Sequence, residues 1–196
     1  INCNNSDLEI RGGNVYNNSS YAGGAIFVDS LSTCSVDDVY FNNNGANRGG
    51  AIATFRGGRL AVHGSDFYQN SANGFEENVD SNFPTYAGGG AIYQEFADTL
   101  EISNTNFSNN SATAGPGGAM ALYHGTEVLL DSIVIRNNSS TGGGGGLCLL
   151  RPENVIFNHG VIMDNRSDWN SGGGVFFGTE ASQDTVDMPG TFNRLL

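Results

Sequence analysis

The sequence predicts an all-β protein, a parallel β-helix of about six to seven rungs with 26–28 residues per rung. Three observations predict it. A Gly-Gly-Ala-apolar phrase recurs at a near-constant step, an apolar-x-x-Asn phrase recurs in phase with it, and the residues between them alternate as strands do.

The first phrase reads AGGAIF at 22–27, RGGAIA at 48–53, GGGAIY at 88–93 and PGGAMA at 116–121. Degenerate copies, GGLCLL and GGVFFG, continue it. The second glycine falls at Gly24, Gly50, Gly90, Gly118, Gly146 and Gly174, in steps of 26, 40, 28, 28 and 28. The one long step holds an inserted loop at about 74–87. The double glycine permits positive φ and close backbone approach at a corner.

The second phrase places Asn18, Asn44, Asn70, Asn110, Asn138 and Asn165 three residues after Val15, Phe41, Phe67, Phe107, Ile135 and Ile162. Asn tolerates left-handed backbone and bonds to nearby backbone groups, so it suits a turn between strands. Stacked amides can also bond along the column, which makes these six a structural ladder. Five residues before each apolar member stand Ile10, Val36, Val62, Ile102, Leu130 and Phe157. Two residues earlier come Leu8, Cys34, Leu60, Leu100, Val128 and Val155. That spacing of two is a strand with one buried face. A unit this short holds about three strands and leaves no room for an ordinary helix. With rungs about 4.8 Å apart, six of them form a rod roughly 30 Å long. Residues 1–178 read as one domain, and 179–196 as a non-repeat tail that caps the end or docks on another subunit.

GGA[IL] paired with FxxN resembles the repeat of chlamydial polymorphic membrane proteins, over about residues 8–178. The resemblance implies a right-handed coil, display outside the cell, and an adhesive or structural role. It implies no catalytic residue, because these motifs are fold motifs.

Composition narrows the partners. The formal net charge is −12, the pI is near 4.3, and there is no lysine. An acidic chain without basic patches argues against nucleic acid and anionic membrane. No apolar stretch approaches the ~18–20 residues of a membrane span, so no membrane insertion by this chain is expected. The start of the numbering, with neither Met nor a signal-peptide pattern, suggests a processed or cut end. Three cysteines, Cys3, Cys34 and Cys148, define neither a metal site nor a disulfide framework. No metal and no cofactor are expected.

Outward positions carry the candidate chemistry. Asp37 and His63 fall on adjacent rungs with Asp38 beside them, near Tyr40. Glycosidic cleavage needs one acid and one base, so these three form the best enzymatic constellation. The alternative is a solvated surface group, and the favoured reading is not an enzyme. Asn4, Asn17, Asn106, Asn109 and Asn137 are candidate N-glycosylation positions facing out. The loop at 74–87, with Glu76, Glu77 and Asp80 among aromatics, is either a receptor-binding excursion or a spacer.

The phrase strand does not alternate as a half-exposed strand should. Ile26, Ile52, Ile92, Met120, Cys148 and Phe176 make the natural inward column. Phe27, Ala53, Tyr93, Ala121, Leu149 and Phe177 should then face out as an apolar strip, a candidate interface. The tail, the loop or another molecule should cover it. Neither end shows a polar cap, and open strand edges invite pairing. The expectation is therefore an extracellular or cell-surface protein, structural or adhesive, that associates with copies of itself, in a head-to-tail filament if tail docking does not close. Surface glycans or a host receptor are the other partners considered. The alternative is a carbohydrate-binding or polysaccharide-cleaving β-helix.

Overall fold

A computed structural model describes residues 1–74, 87–168 and 172–178, and the backbone of strand Gly190–Leu195. Every described element is a strand and every pairing between strands is parallel, giving a β-solenoid of about six turns. Each turn runs through three faces and a short corner. Face A stacks Asn2–Cys3, Ile26–Val28, Ile52–Phe55, Ile92–Glu95, Met120–Tyr123, Leu147–Leu150 and Val175–Gly178. Face B stacks Asp7–Arg11, Thr33–Asp37, Arg59–His63, Thr99–Ser103 and Glu127–Asp131. Face C stacks Asn14–Tyr16, Tyr40–Asn42, Asp66–Tyr68, Asn106–Ser108 and Val134–Arg136. On the next turn one long strand, Asn154–Met163, serves both B and C. Corner D stacks Gly45–Ala46, Ser71–Ala72, Ser111–Ala112, Ser139–Ser140 and Arg166–Ser167. The tail contributes Gly190–Leu195, which adds a further parallel strand to face B beside Val155–Gly160. Apart from Gly74 and Ala87, the insertion lies outside the described residues, as do 179–189 of the tail.

Register on faces B and C follows the sequence columns. Leu8, Cys34, Leu60, Leu100, Val128 and Val155 pair rung to rung, and so do Val15, Phe41, Phe67, Phe107, Ile135 and Ile162. The stacked phenylalanines lie nearly parallel, with centroids 4.7 Å apart for Phe41–Phe67 and 4.8 Å for Phe67–Phe107. The interior is one continuous apolar cluster, thinner at the first rung, where Leu8, Ile10 and Val15 are only partly buried.

Face A departs from the expected register on its last rungs. Met120 pairs with Leu147 and Leu147 with Val175, so the step after Gly118 leads to Gly145, not Gly146. Cys148 and Phe176 therefore leave the inward column. Leu149 and Phe177 enter the main core instead of facing out. The cause is the run Gly142–Gly146, which offers no side chain to mark the corner and lets hydrogen bonding choose the register. A methyl group built on Gly24, Gly50, Gly90, Gly118 or Gly145 would strike the carbonyl oxygen of the corresponding glycine on the next rung. The second glycine is thus required by close approach.

Thr54 and Gln94 stand in an inward column otherwise filled by Val28, Leu122 and Leu149. Both are buried, and the Thr54 hydroxyl and both ends of the Gln94 amide lack a hydrogen-bond partner among the described residues.

Phe107 is fully buried between its stacked neighbours. Phe107→Ala should cost about 3–5 kcal/mol in a denaturant titration; a near-neutral result contradicts the stacking described here.

Candidate functional site

The amide column is the longest run of side-chain hydrogen bonds among the described residues. Asn44 shows its logic. Its Oδ1 accepts from the backbone N–H and the Nδ2 of Asn18, at 3.1 and 2.9 Å. Its own N–H and Nδ2 donate to Asn70 Oδ1, both at 3.0 Å, and Nδ2 also donates to the Val15 carbonyl at 2.9 Å. Asn70, Asn110 and Asn138 repeat the pattern, reaching the carbonyls of Phe41, Phe67 and Phe107. Asn165 closes the series on the Ile135 carbonyl. The bonds between amides all run one way, each asparagine donating to the oxygen of the next.

The exposed edge between faces B and C carries Arg11, Asp37, His63, Ser103, Asp131 and Asn158 at successive paired positions. Asp37 and His63 are thus on neighbouring rungs. The ring of His63 nevertheless bonds through Nδ1 to Ser103 Oγ at 2.9 Å, while Asp37 accepts from Ser35 Oγ at 3.4 Å. Asp38 occupies the following turn with φ 55°. Further along, His159 Nδ1 meets Asp131 Oδ1 at 2.9 Å, both side chains well exposed. No described group of three or more His, Cys, Asp or Glu residues is arranged to hold a metal ion.

The strip on the outer side of face A forms a second core. Ala53, Tyr93, Ala121 and Cys148 are fully buried there, and Phe27, Phe55 and Phe176 pack against them. The expected interface therefore fails as a free surface. Ala53, Tyr93 and Ala121 are covered within the single chain, Leu149 and Phe177 face inward, and Phe27 and Phe177 stay partly open. An aromatic file crosses four rungs, Phe27 to Phe55 to Tyr93 to Tyr123, with centroids 5.4, 5.5 and 5.4 Å apart. Arg48, buried, lies 5.8 Å over the Tyr93 ring and 3.6 Å from Glu95 Oε2, which also accepts from the Tyr93 hydroxyl at 3.1 Å. Burial pushes both tyrosines well above their ordinary pKa. It raises the Glu95 carboxyl too, against the opposing pull of the Tyr93 hydrogen bond and of Arg48 and Arg56.

The exposed asparagines sort by turn. Asn17, Asn109 and Asn137 occupy left-handed positions, φ 56°, 57° and 54°, one residue before the ladder. Asn4 is exposed, and Asn106, also exposed, donates to Asp66 Oδ1 at 2.8 Å. Sequence reasoning missed the corner between faces A and B. Arg56, Phe96, His124 and Arg151 take left-handed backbone there at equivalent places on four successive rungs, φ 49° to 51°. The signal was their constant offset from the phrase strand, hidden because none is Gly or Asn.

The family model of the Chlamydia polymorphic membrane protein repeat matches residues 38–54 and 132–149. Each match spans a face C strand, a ladder asparagine and the glycine corner after it. Over those two segments the chain is similar to the Chlamydia polymorphic membrane protein repeat. No curated protein and no solved structure matches it. In this solenoid the two phrases have separate jobs. The asparagine phrase ties rungs together, and the glycine phrase lets them approach.

Replacing Asn110 by Leu would remove the acceptor of the Asn70 N–H and of one Asn70 Nδ2 hydrogen, and the amide donor to the Phe67 carbonyl. Buried unmet groups cost about 1–3 kcal/mol each, so denaturant titration should show a loss of about 3 kcal/mol or more. Cys34 and Cys148 give a pH test. Burial pushes both thiols from 9.0 up to about 12. Below about pH 9 both are neutral folded or unfolded. Between about 9 and 12 the unfolded thiols ionise first, so stability should fall as pH rises through that window. In the native state at pH 8 neither should react with a thiolate-selective reagent; fast labelling of either contradicts its burial.

Proposed function

We propose that this chain is a non-enzymatic scaffold displayed outside the cell, with an adhesive or structural role, which associates with copies of itself. The observation that carries the reading is the polymorphic membrane protein repeat itself, folded so that its repeated residues serve the interior and leave the variable ones outside. Stacked repeats of this kind build a rigid rod on which outward residues vary freely, a design suited to presenting surface.

Self-association is supported by the first rung. Among the described residues no strand lies outside Asn2–Cys3, Asp7–Arg11 or Asn14–Tyr16, so three parallel edges present backbone groups. The one-way amide ladder adds an oxygen, Asn18 Oδ1, to which no described residue donates. Use of Asn4, Asn17, Asn106, Asn109 and Asn137 as glycan acceptors belongs to the same reading, since secretion would expose them.

Light scattering over a wide concentration range, followed by electron microscopy, tests the association. Mass should rise with concentration, and elongated particles should appear. A constant monomer mass up to high concentration would remove self-association and leave display standing.

A further inference from the structure

The chain contains two Asn-Gly pairs, Asn44–Gly45 and Asn73–Gly74. In such a pair the following backbone nitrogen can attack the side-chain carbonyl, because glycine puts no side chain in the way. Asparagine counts among the thermolabile residues. The fold treats the two pairs in opposite ways. Asn44 is 1% exposed, and its amide is engaged at every donor and acceptor. The nitrogen that would attack it, on Gly45, donates to the Asn18 carbonyl at 2.9 Å. Nucleophile and electrophile are both tied to neighbouring rungs. Asn73 is exposed, just past the corner strand Ser71–Ala72. Among the described residues no carbonyl accepts from the Gly74 N–H. The Asn73 amide makes its side-chain bonds at the surface, from Nδ2 to Ser71 Oγ at 3.3 Å and to Oδ1 from Thr113 Oγ1 at 3.2 Å. A hydroxyl donating to Oδ1 draws charge from Cγ and stands ready to stabilise an oxyanion there. Packing also demands the glycine. A methyl group built on Gly74 would lie 2.2 Å from Asn47 Cβ.

We propose that Asn73–Gly74 is a self-modifying site: in the folded protein Asn73 loses its amide through a succinimide, assisted by Thr113, while Asn44 is spared. The Gly74 nitrogen gives its proton to solvent base and bonds to Asn73 Cγ. Thr113 donates to the side-chain oxygen as that oxygen gains charge. The Cγ–Nδ2 bond then breaks, and Nδ2 leaves as ammonia with a proton returned by water. Water opens the cyclic imide on either side of its nitrogen. Cutting the bond to Cγ leaves aspartate, and cutting the bond to the backbone carbonyl carbon leaves isoaspartate. Nothing is oxidised or reduced; water is consumed and ammonia released. The product carries an added negative charge, a change that alters local electrostatics as other covalent modifications do. The isoaspartate route also lengthens the backbone by a methylene. Gly74 is the last described residue before the insertion, so the change falls where that excursion leaves the solenoid. The site depends neither on display outside the cell nor on self-association.

Ageing the folded protein at mildly alkaline pH in water enriched in heavy oxygen, followed by peptide mapping in a mass spectrometer, tests the site. The peptide holding Asn73 should take up solvent oxygen and yield isoaspartate, faster as pH rises, while the peptide holding Asn44 stays intact. In denaturant the two pairs should react alike, because the protection of Asn44 is a property of the fold. Thr113→Val should slow the native reaction at Asn73 by about threefold or more, the worth of one ordinary hydrogen bond. Thr113 is exposed, so the thermal midpoint of that variant should hold. In denaturant the variant and the wild type should react at the same rate. An intact Asn73 in aged folded protein, or loss at Asn44 as fast as at Asn73, overturns the proposal. So does an undiminished native rate in Thr113→Val, or a slowing that persists in denaturant.

Discussion

A primary amide has two donors and two acceptor sites, and in the middle of this solenoid all four are engaged. Asn44, Asn70, Asn110 and Asn138 each accept two hydrogen bonds from the rung before and donate from the side chain both to the rung after and to a carbonyl of the rung before. Burying an amide is costly unless it is satisfied. Burying one that is fully satisfied fixes its neighbours in a single register. The rest of the architecture depends on that constraint. The carbonyl each asparagine reaches belongs to the bulky residue of the preceding apolar-x-x-Asn phrase. The amide ladder and the phenylalanine stack are therefore set by the same hydrogen bonds.

The glycine phrase is the counterpart on the other side of the turn. Where the asparagines pull rungs together, the second glycine of each phrase removes the atom that would hold them apart. Neither device explains the outer side of face A. There Tyr93 and Tyr123 are as deeply buried as any phenylalanine of the lumen, beside a buried Arg48–Glu95 pair. Such a pair is weak evidence for stability, since desolvation offsets much of the attraction. It does hold Tyr93, through the hydroxyl bond to Glu95 and the guanidinium over its ring.

The columns on faces B and C were legible because each carries a chemical demand at constant phase. A primary amide can hand hydrogen bonds up and down a stack, so Asn18 to Asn165 could be aligned without coordinates. The phrase after Gly118 was legible as a corner but not in its register. Five glycines carry no information about which one meets the rung below, and Cys148 was assigned inward when Leu147 takes that place. The second core was illegible for another reason. Alternation separates inside from outside only when water lies on the outer face, and here both faces of the strand are dry. The corner column of Arg56, Phe96, His124 and Arg151 was hidden because its residue types contradict the backbone they adopt. The Asp37–His63 neighbourhood could be placed from spacing, but which partner the imidazole chooses is a matter of side-chain rotation that spacing does not encode.

The one-way direction of the ladder has a consequence for how such a chain can change length. A rung contributes an oxygen on one side and donors on the other, so any two rungs join as well as the originals did, whatever lies between them in the genealogy. Whole turns can be duplicated or lost without reworking their neighbours, while removal of a few residues inside a turn would break the hand-over at once. Growth by entire modules, with excursions tolerated only at corners such as the one leaving Gly74, is the mode of descent this arrangement permits.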